Sequence, residues 1–454
     1  MKKIKNKIFS GACILGFGTF ISKIIGAIFR IPLTALVGTK GLGLYQLVFP
    51  VYTVMLDFSG AGAPTALSKI IASYQGQDKE KYAQDFLAVS IRVLSIIGLL
   101  FSIIMAIFSY PLSKLQGNVD AYLSYIFLSP SVFFVCLISS YRGYFQGLMN
   151  MKPTAISQIV EQLIKLFCGL FFAFIFIPNI KRAIAGTLFA VTLSEIAAFL
   201  LLFFIYRKRR SRFSVKYKFS KNDFFCKSKH LIKILIPVAI IGICLPFSQL
   251  LDSFIVVNIL SKYLDNATSL FGLLTGVCLT IINLPVSLCY GISVVAVPSV
   301  SSVKTHREKL SNCFKSLFLT LLFSIPFALI ILFFPNQIIN ILFSKLSLSE
   351  KVVGVNLLKI LSPCVVLLSV LQTLNASLIG MGKLYTPVFS MSIAIVFKVV
   401  ISVVLLNIQS INIYGGAIAL IACYFIADLI NFILITSKAV KNERKVACNR
   451  QFAS

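Results

Sequence analysis

About twelve apolar stretches recur along this chain, at 8–29, 42–60, 84–109, 122–141, 154–177, 183–206, 231–257, 269–296, 313–335, 353–378, 386–406 and 412–436. Crossing a bilayer core takes roughly 20 residues of helix, so each stretch is a candidate span. Hydrocarbon offers no water to pair with backbone amides, and a lone apolar segment satisfies them only as a helix. The fold class that follows is an all-α polytopic membrane protein. Composition agrees: 58% of the 454 residues are hydrophobic and 13% charged, too little charge to cover a soluble body of this size. Lys2, Lys3, Lys5 and Lys7 precede the first stretch, but no small-x-small cleavage site follows it. It reads as a retained first helix, not a removed signal peptide.

The formal net charge is +29, which by itself would suggest a nucleic-acid partner. Its distribution says otherwise. Lysine and arginine gather in the segments that share a side of the membrane with the N-terminus and are sparse in the alternate loops, the bias that marks a cytoplasmic face. Both termini are therefore expected in the cytoplasm. The block Arg207–Lys229 carries ten basic residues against one acid, Asp223. Lying between two spans, it is expected to rest on anionic lipid headgroups. The eleven cysteines show no paired spacing, and Cys136, Cys168, Cys278 and Cys364 fall inside spans. They read as small packing residues, with no metal site and no cofactor implied. His230 and His306 both fall in cytoplasmic loops, which leaves no intramembrane histidine for catalysis.

Shifting the sequence by 233 residues superposes its halves. Leu128-Ser129-Pro130 falls on Leu361-Ser362-Pro363, Gly147 on Gly380, Lys165 on Lys398, Glu195 on Asp428 and Phe199 on Phe432. The organisation expected is a six-helix lobe at 1–206, a basic cytoplasmic linker at 207–230, a second six-helix lobe at 231–437 and a basic tail at 438–454. An even number of helices per half makes the repeat parallel, with its axis along the membrane normal. Alternating access, with substrate held between rocking lobes, suits such a design.

Charges within the spans are expensive and need a reason. On the first helix Lys23 and Arg30, seven residues apart, share a face with Gly16, Thr19, Gly26 and Ala27. That stripe reads as one wall of an aqueous cavity. Asp252, in the seventh stretch, is placed to answer these cations across it. In the fifth stretch Thr154, Gln158, Glu161 and Lys165 share a face. Because Lys165 and Glu195 recur as Lys398 and Asp428, each half is expected to hold a structural ion pair. Glu161 aligns with Ala394, so it is a surplus carboxylate and a candidate site for a coupling proton or sodium ion.

Four segments also carry a family resemblance: Ser22-Lys23-Ile24-Ile25-Gly26, Phe29-Arg30-Ile31-Pro32-Leu33, Gly41-Leu42-Gly43-Leu44-Tyr45-Gln46, and Gly62-Ala63-Pro64-Thr65-Ala66-Leu67-Ser68-Lys69. They resemble the stage V sporulation protein B branch of the polysaccharide transporter family. That family belongs to the multidrug/oligosaccharidyl-lipid/polysaccharide exporter superfamily. The resemblance implies a flippase of the bacterial plasma membrane that moves undecaprenyl-pyrophosphate-linked sugars or peptidoglycan precursors, with spore wall synthesis as the usual setting. It also implies that Lys23 and Arg30 face the cavity and bind pyrophosphate. The runner-up is a cation-coupled multidrug antiporter, which would want cavity acids where this first helix has cations. A membrane enzyme acting on polyprenyl sugars is disfavoured, because the external loops are short and the spans lack histidine.

Overall fold

The computed structural model describes residues 2–74, 79–210, 221–301, 303, 305–383 and 385–451. Every element among them is helical: α1 (Lys2–Leu56), a π-helical turn (Asp57–Ala61), α2 (Ala63–Ser73), α3 (Lys79–Ile107), α4 (Ser109–Leu115), a 3-10 turn (Val119–Ala121), α5 (Tyr122–Gly147), α6 (Lys152–Ile175), α7 (Ile180–Arg210), α8 (Lys221–Leu260), α9 (Ala267–Phe271), a second π-helical segment (Gly272–Cys278), α10 (Leu279–Ser301), α11 (His306–Phe333), α12 (Pro335–Leu342), α13 (Leu348–Leu361), α14 (Pro363–Gly380), α15 (Thr386–Leu406) and α16 (Tyr414–Gln451).

Eleven segments among the described residues are long and apolar enough to cross a membrane. The first, Ile14–Ser73, has 60 residues. As a straight helix it would reach about 90 Å, three times a bilayer core. The chain breaks it at Gly38, where φ is 66° and ψ −177°, a basin closed to residues with a Cβ. The break is a reversal. The rings of Phe29 and Phe49 lie 5.7 and 5.0 Å from the same Lys165 Nζ, whereas twenty residues of unbroken helix would set them about 30 Å apart. α1 is thus a hairpin of two arms, and the eleven segments account for the twelve stretches read from the sequence. Local boundaries move: the apolar part of the seventh is Gly242–Leu260, and the tenth divides between α13 and α14 at Pro363.

Packing divides the chain into two compact units, Met1–Gly276 and Val277–Ser454. The sequence repeat instead divides it between 206 and 231, so α8 and the Ala267–Gly276 segment pack with the first unit. Polar contacts explain this at the end of the bundle that carries Gly38. Backbone meets backbone where Gly43 touches Thr268 and Gly272 touches Thr39 and Gly43, leaving no room for side chains there. The amide of Gln46 donates to the Thr275 carbonyl at 2.8 Å. Gln116, fully buried, donates to the Leu47 carbonyl and to Ser253 Oγ, both at 2.9 Å, and accepts from Tyr125 at 2.5 Å. Asn118 reaches Thr268 at 2.9 Å, and Asn258 reaches the Leu115 carbonyl at 2.7 Å.

In the second unit, α10, α11, α14 and α16 meet over Val300, Cys313, Leu317, Leu374, Leu378 and Ile435. The repeat is visible in three-dimensional detail. The turn after α5 is closed by bonds from the amides of 148, 149 and 150 to the carbonyls of 144, 146 and 145. The turn after α14 repeats them 233 residues later, from 381, 382 and 383 to 377, 379 and 378. Met149 and Gly382 both take positive φ there. One turn deeper, Ser140 bridges to Ser90 at 2.9 Å, and its equivalent Thr373 bridges to Thr320 at 2.8 Å.

Two expectations follow. Gly38→Ala should lower the thermal unfolding midpoint of the detergent-purified protein, at about 1–3 kcal/mol for a residue forced into a sparse basin. Gly16→Ala, with nothing near its Cβ position, should not. Single cysteines in a cysteine-free background at the exposed Asn179 and Lys262 should label from outside intact cells, and ones at the exposed Lys152 and Lys229 should not. Reversed labelling would overturn the orientation.

Candidate functional site

The first arm of α1 runs alongside α6 in the same direction. A Cβ on Gly18 would meet Ala155 at 2.7 Å, Thr19 donates to Gln158 Oε1 at 3.2 Å, a Cβ on Gly26 would meet Gln162 Oε1 at 3.3 Å, and one on Gly169 would meet the Phe29 ring at 2.9 Å. Part of the small-residue stripe read as a cavity wall is therefore a packing seam, where small residues let two helices approach. Thr19 and Gly26 face α6, and Gly16 has open space beside it. Lys23, between Thr19 and Gly26 in sequence, is exposed, and Arg30 is half-buried. Both are engaged in interactions. Asp252 is half-buried on α8 and likewise engaged, one residue before the serine that receives Gln116.

The polar face of α6 is spent differently from its sequence reading. Glu161 is paired with Arg142 at 2.9 Å. Arg142 also donates from Nε to Ser157 at 3.0 Å, and Gln162 donates to the second Glu161 oxygen at 3.1 Å. Glu161 is thus no surplus carboxylate. Its partner was missed because the apolar stretch ends at 141, whereas α5 continues to Gly147 and carries Arg142 inside the span Val119–Gly147. The only signal was a single arginine just past the end of that stretch.

Lys165 does not pair with Glu195. Its ammonium sits over three rings, Phe29 at 5.7 Å, Tyr45 at 5.9 Å and Phe49 at 5.0 Å. No ion pair among the described residues involves it. Glu195 is 6% exposed and lies within electrostatic reach of Glu161, Arg142 and Lys165. In the second unit the equivalent pair is also unmade. Lys398, 2% exposed, is engaged in an interaction of its own. Asp428, 8% exposed, has no hydrogen-bond partner on either oxygen among the described residues. The repeat preserved residue types at these depths without preserving a contact between them.

At the opposite end, the linker is fastened by protein acids. Arg209 pairs with Glu80 at 2.9 Å, and Lys227 pairs with Asp85 at 3.1 Å and Asp223 at 3.0 Å. Arg92 stands 5.7 Å over the Phe224 ring. Burial pulls the Lys227 pKa down, but hydrogen bonds to Asp223 and Asp85 outweigh it and leave the group above the usual lysine value. The basic residues at 211–220 lie outside the described residues.

A double-mutant cycle distinguishes these arrangements. Arg142→Met alone should destabilise the protein, by less than the roughly 3–5 kcal/mol of a fully buried pair, because it leaves a half-buried carboxylate without its cation. Adding Glu161→Gln should recover much of the loss. Lys165→Met and Glu195→Gln should show little coupling, and thermal midpoints for the four variants and the doubles would check it. Coupling between 165 and 195 as large as that between 142 and 161 would reinstate the ion pair read from the sequence.

The family model described as "Polysaccharide biosynthesis protein" matches residues 8–241, and a second, MatE, matches 237–404. Lipid II flippase MurJ of Bacillus subtilis (strain 168) is 25% identical over 471 residues, which cover 96% of this chain and 84% of that protein. Stage V sporulation protein B of the same organism is 26% identical over 315 residues, covering 67% and 60%. An inward-facing multidrug resistance MATE family transporter superposes with a TM-score of 0.73 at 14% identity, over 93% of this chain and 96% of that one. With its first half matched end to end and its fold shared with these transporters, the chain belongs to the polysaccharide biosynthesis protein family, within the multidrug/oligosaccharidyl-lipid/polysaccharide exporter superfamily.

Proposed function

We propose that this member of the superfamily is a flippase that carries an undecaprenyl-pyrophosphate-linked oligosaccharide or peptidoglycan precursor across the bacterial plasma membrane by alternating access, with no covalent chemistry of its own. The observation that carries this reading is the set of cations on α1 and α6 of the first unit. Lys23 and Arg30 stand on the first arm of α1, Lys165 stands over aromatic rings, and the nearby Glu161 is already neutralised by Arg142. A diphosphate carries at least two negative charges, and lysine and arginine are the side chains that meet it with charge-assisted hydrogen bonds. Similarity to a lipid II flippase over nearly the whole chain supports the same substrate class. Similarity to a sporulation protein supports a setting in spore wall synthesis. Asp252 is assigned to orient the cations, and the basic linker to meet anionic lipid. With Glu161 held by Arg142, coupling to a proton or sodium ion is assigned to Asp428, whose oxygens have no donor among the described residues.

The second reading, a cation-coupled multidrug antiporter, draws on the MatE match over 237–404 and on that same carboxylate. Proteoliposomes separate the two. The protein should move a fluorescent polyprenyl-pyrophosphate glycan across the bilayer and leave a cationic dye behind, and the reverse result would favour the antiporter. Lys23→Ala should lose glycan movement with expression and insertion unchanged. Lys23→Arg should retain part of it, since a planar fork replaces a point charge. Lys23→Glu should be worse than alanine, because repulsion adds to the lost contact. Parental transport in Lys23→Glu would remove this residue from the site.

A further inference from the structure

An intramembrane lysine normally finds a carboxylate, and α6 offers Lys165 one at the usual i−4 position, Glu161. That carboxylate is turned to Arg142 at 2.9 Å and is additionally held by Gln162 at 3.1 Å. Glu195, the other acid within electrostatic reach, makes no ion pair with Lys165 among the described residues. The ammonium is held instead by π faces: Phe49 at 5.0 Å, Phe29 at 5.7 Å and Tyr45 at 5.9 Å. The holder is rigid. Phe29 and Tyr45 are buried, Tyr45 stacks on Phe49 at 5.3 Å, Phe49 meets Tyr52 edge-on at 5.7 Å, and Gly169 lies against the Phe29 ring.

Ring faces attract an ammonium through their quadrupole, yet they accept none of its three N–H donors as an oxygen would. Among the described residues, no side chain or carbonyl accepts a hydrogen bond from the Lys165 ammonium. Lys165 is half-buried, not sealed. Arg30 follows Phe29 directly in the chain.

We infer that Lys165 is a further substrate-binding cation of this protein: an ammonium parked on Phe29, Tyr45 and Phe49 that transfers to a phosphate oxygen of the polyprenyl pyrophosphate when it arrives beside Arg30. This rests on the flippase reading above and adds to it a binding residue on a different helix. An oxyanion accepts charge-assisted hydrogen bonds that the rings cannot, so the exchange runs toward the anion. When the substrate leaves, the rings receive the ammonium again, which avoids exposing an unpaired charge to a low-dielectric interior.

The chain contains no tryptophan, so Phe49→Trp creates a single reporter in the ring nearest the ammonium. In detergent, undecaprenyl pyrophosphate should shift its emission as Lys165 leaves the face, and undecaprenol, which lacks phosphate, should not. In the double variant Phe49→Trp/Lys165→Met the shift should vanish. Affinity for undecaprenyl pyrophosphate, measured by calorimetry, should fall about 10-fold to 100-fold, the range for losing one charged hydrogen bond. Lys165→Arg should recover most of the affinity. A structural lysine would behave differently: Lys165→Met would lower the thermal midpoint while affinity and emission response stayed parental, and that result overturns the inference. If Lys165 variants bind as the parent does while Lys23→Ala loses binding, the flippase reading stands and this inference alone falls. If the parent binds undecaprenyl pyrophosphate no better than undecaprenol, both fall together.

Discussion

Everything in this protein is arranged around the absence of water in the bilayer core. A backbone amide there has only the chain itself as partner, so each crossing must be helical. Every departure from helix must then be closed by other protein groups. The reversal at Gly38 is accommodated by a residue without a Cβ, and the helices around it are joined by Gln46, Gln116, Asn118 and Asn258, each bonded to a carbonyl or hydroxyl of a neighbouring segment. The interrupted helix at Gly272–Cys278 is covered where Gly272 meets Gly43. These polar contacts draw α8 and the start of the next span into the first unit, beyond the boundary that the internal repeat marks.

The same constraint governs charge. An ionic side chain in a low-dielectric interior is costly without a partner, and this chain shows three ways of supplying one. Arg142 and Glu161 form a direct pair supported by Ser157 and Gln162. Lys165 takes aromatic faces in place of a carboxylate. Near the linker, Lys227 and Arg209 reach acids on α3. The pairings follow from which helices touch, and helix contact is not coded by sequence spacing. Glu161 and Lys165 stand at the spacing of a helical ion pair, but α5 brings an arginine closer to the first and α1 brings three rings to the second.

Much of the architecture was legible beforehand. Apolar runs longer than a bilayer is thick are read without reference to anything else, and twelve of them leave one fold class. The repeat was legible too, because a shift of 233 residues aligns residue types, and the structure returns it as identical hydrogen-bonded turns after α5 and α14. The site was read less completely. Lys23 was singled out by its depth and Arg30 by its spacing to Lys23, and both enter as proposed binding residues. Arg142 was passed over because the helix outlasts the apolar run by more than a turn, and the aromatic holder is assembled from both arms of α1 and from α6.

By itself, then, the sequence determined the solvent, the helical fold class, the parallel repeat and the excess of positive charge, because each depends on composition or periodicity along one chain. Only the tertiary structure decided that the reversal between the first two spans sits at Gly38, that α8 packs with the first unit, that Glu161 belongs to Arg142 and that Lys165 rests on Phe29, Tyr45 and Phe49. Those are contacts between residues from 19 to at least 143 positions apart. A charge in a membrane interior settles with whatever partner the packing presents, and no spacing within one helix specifies which neighbour that will be.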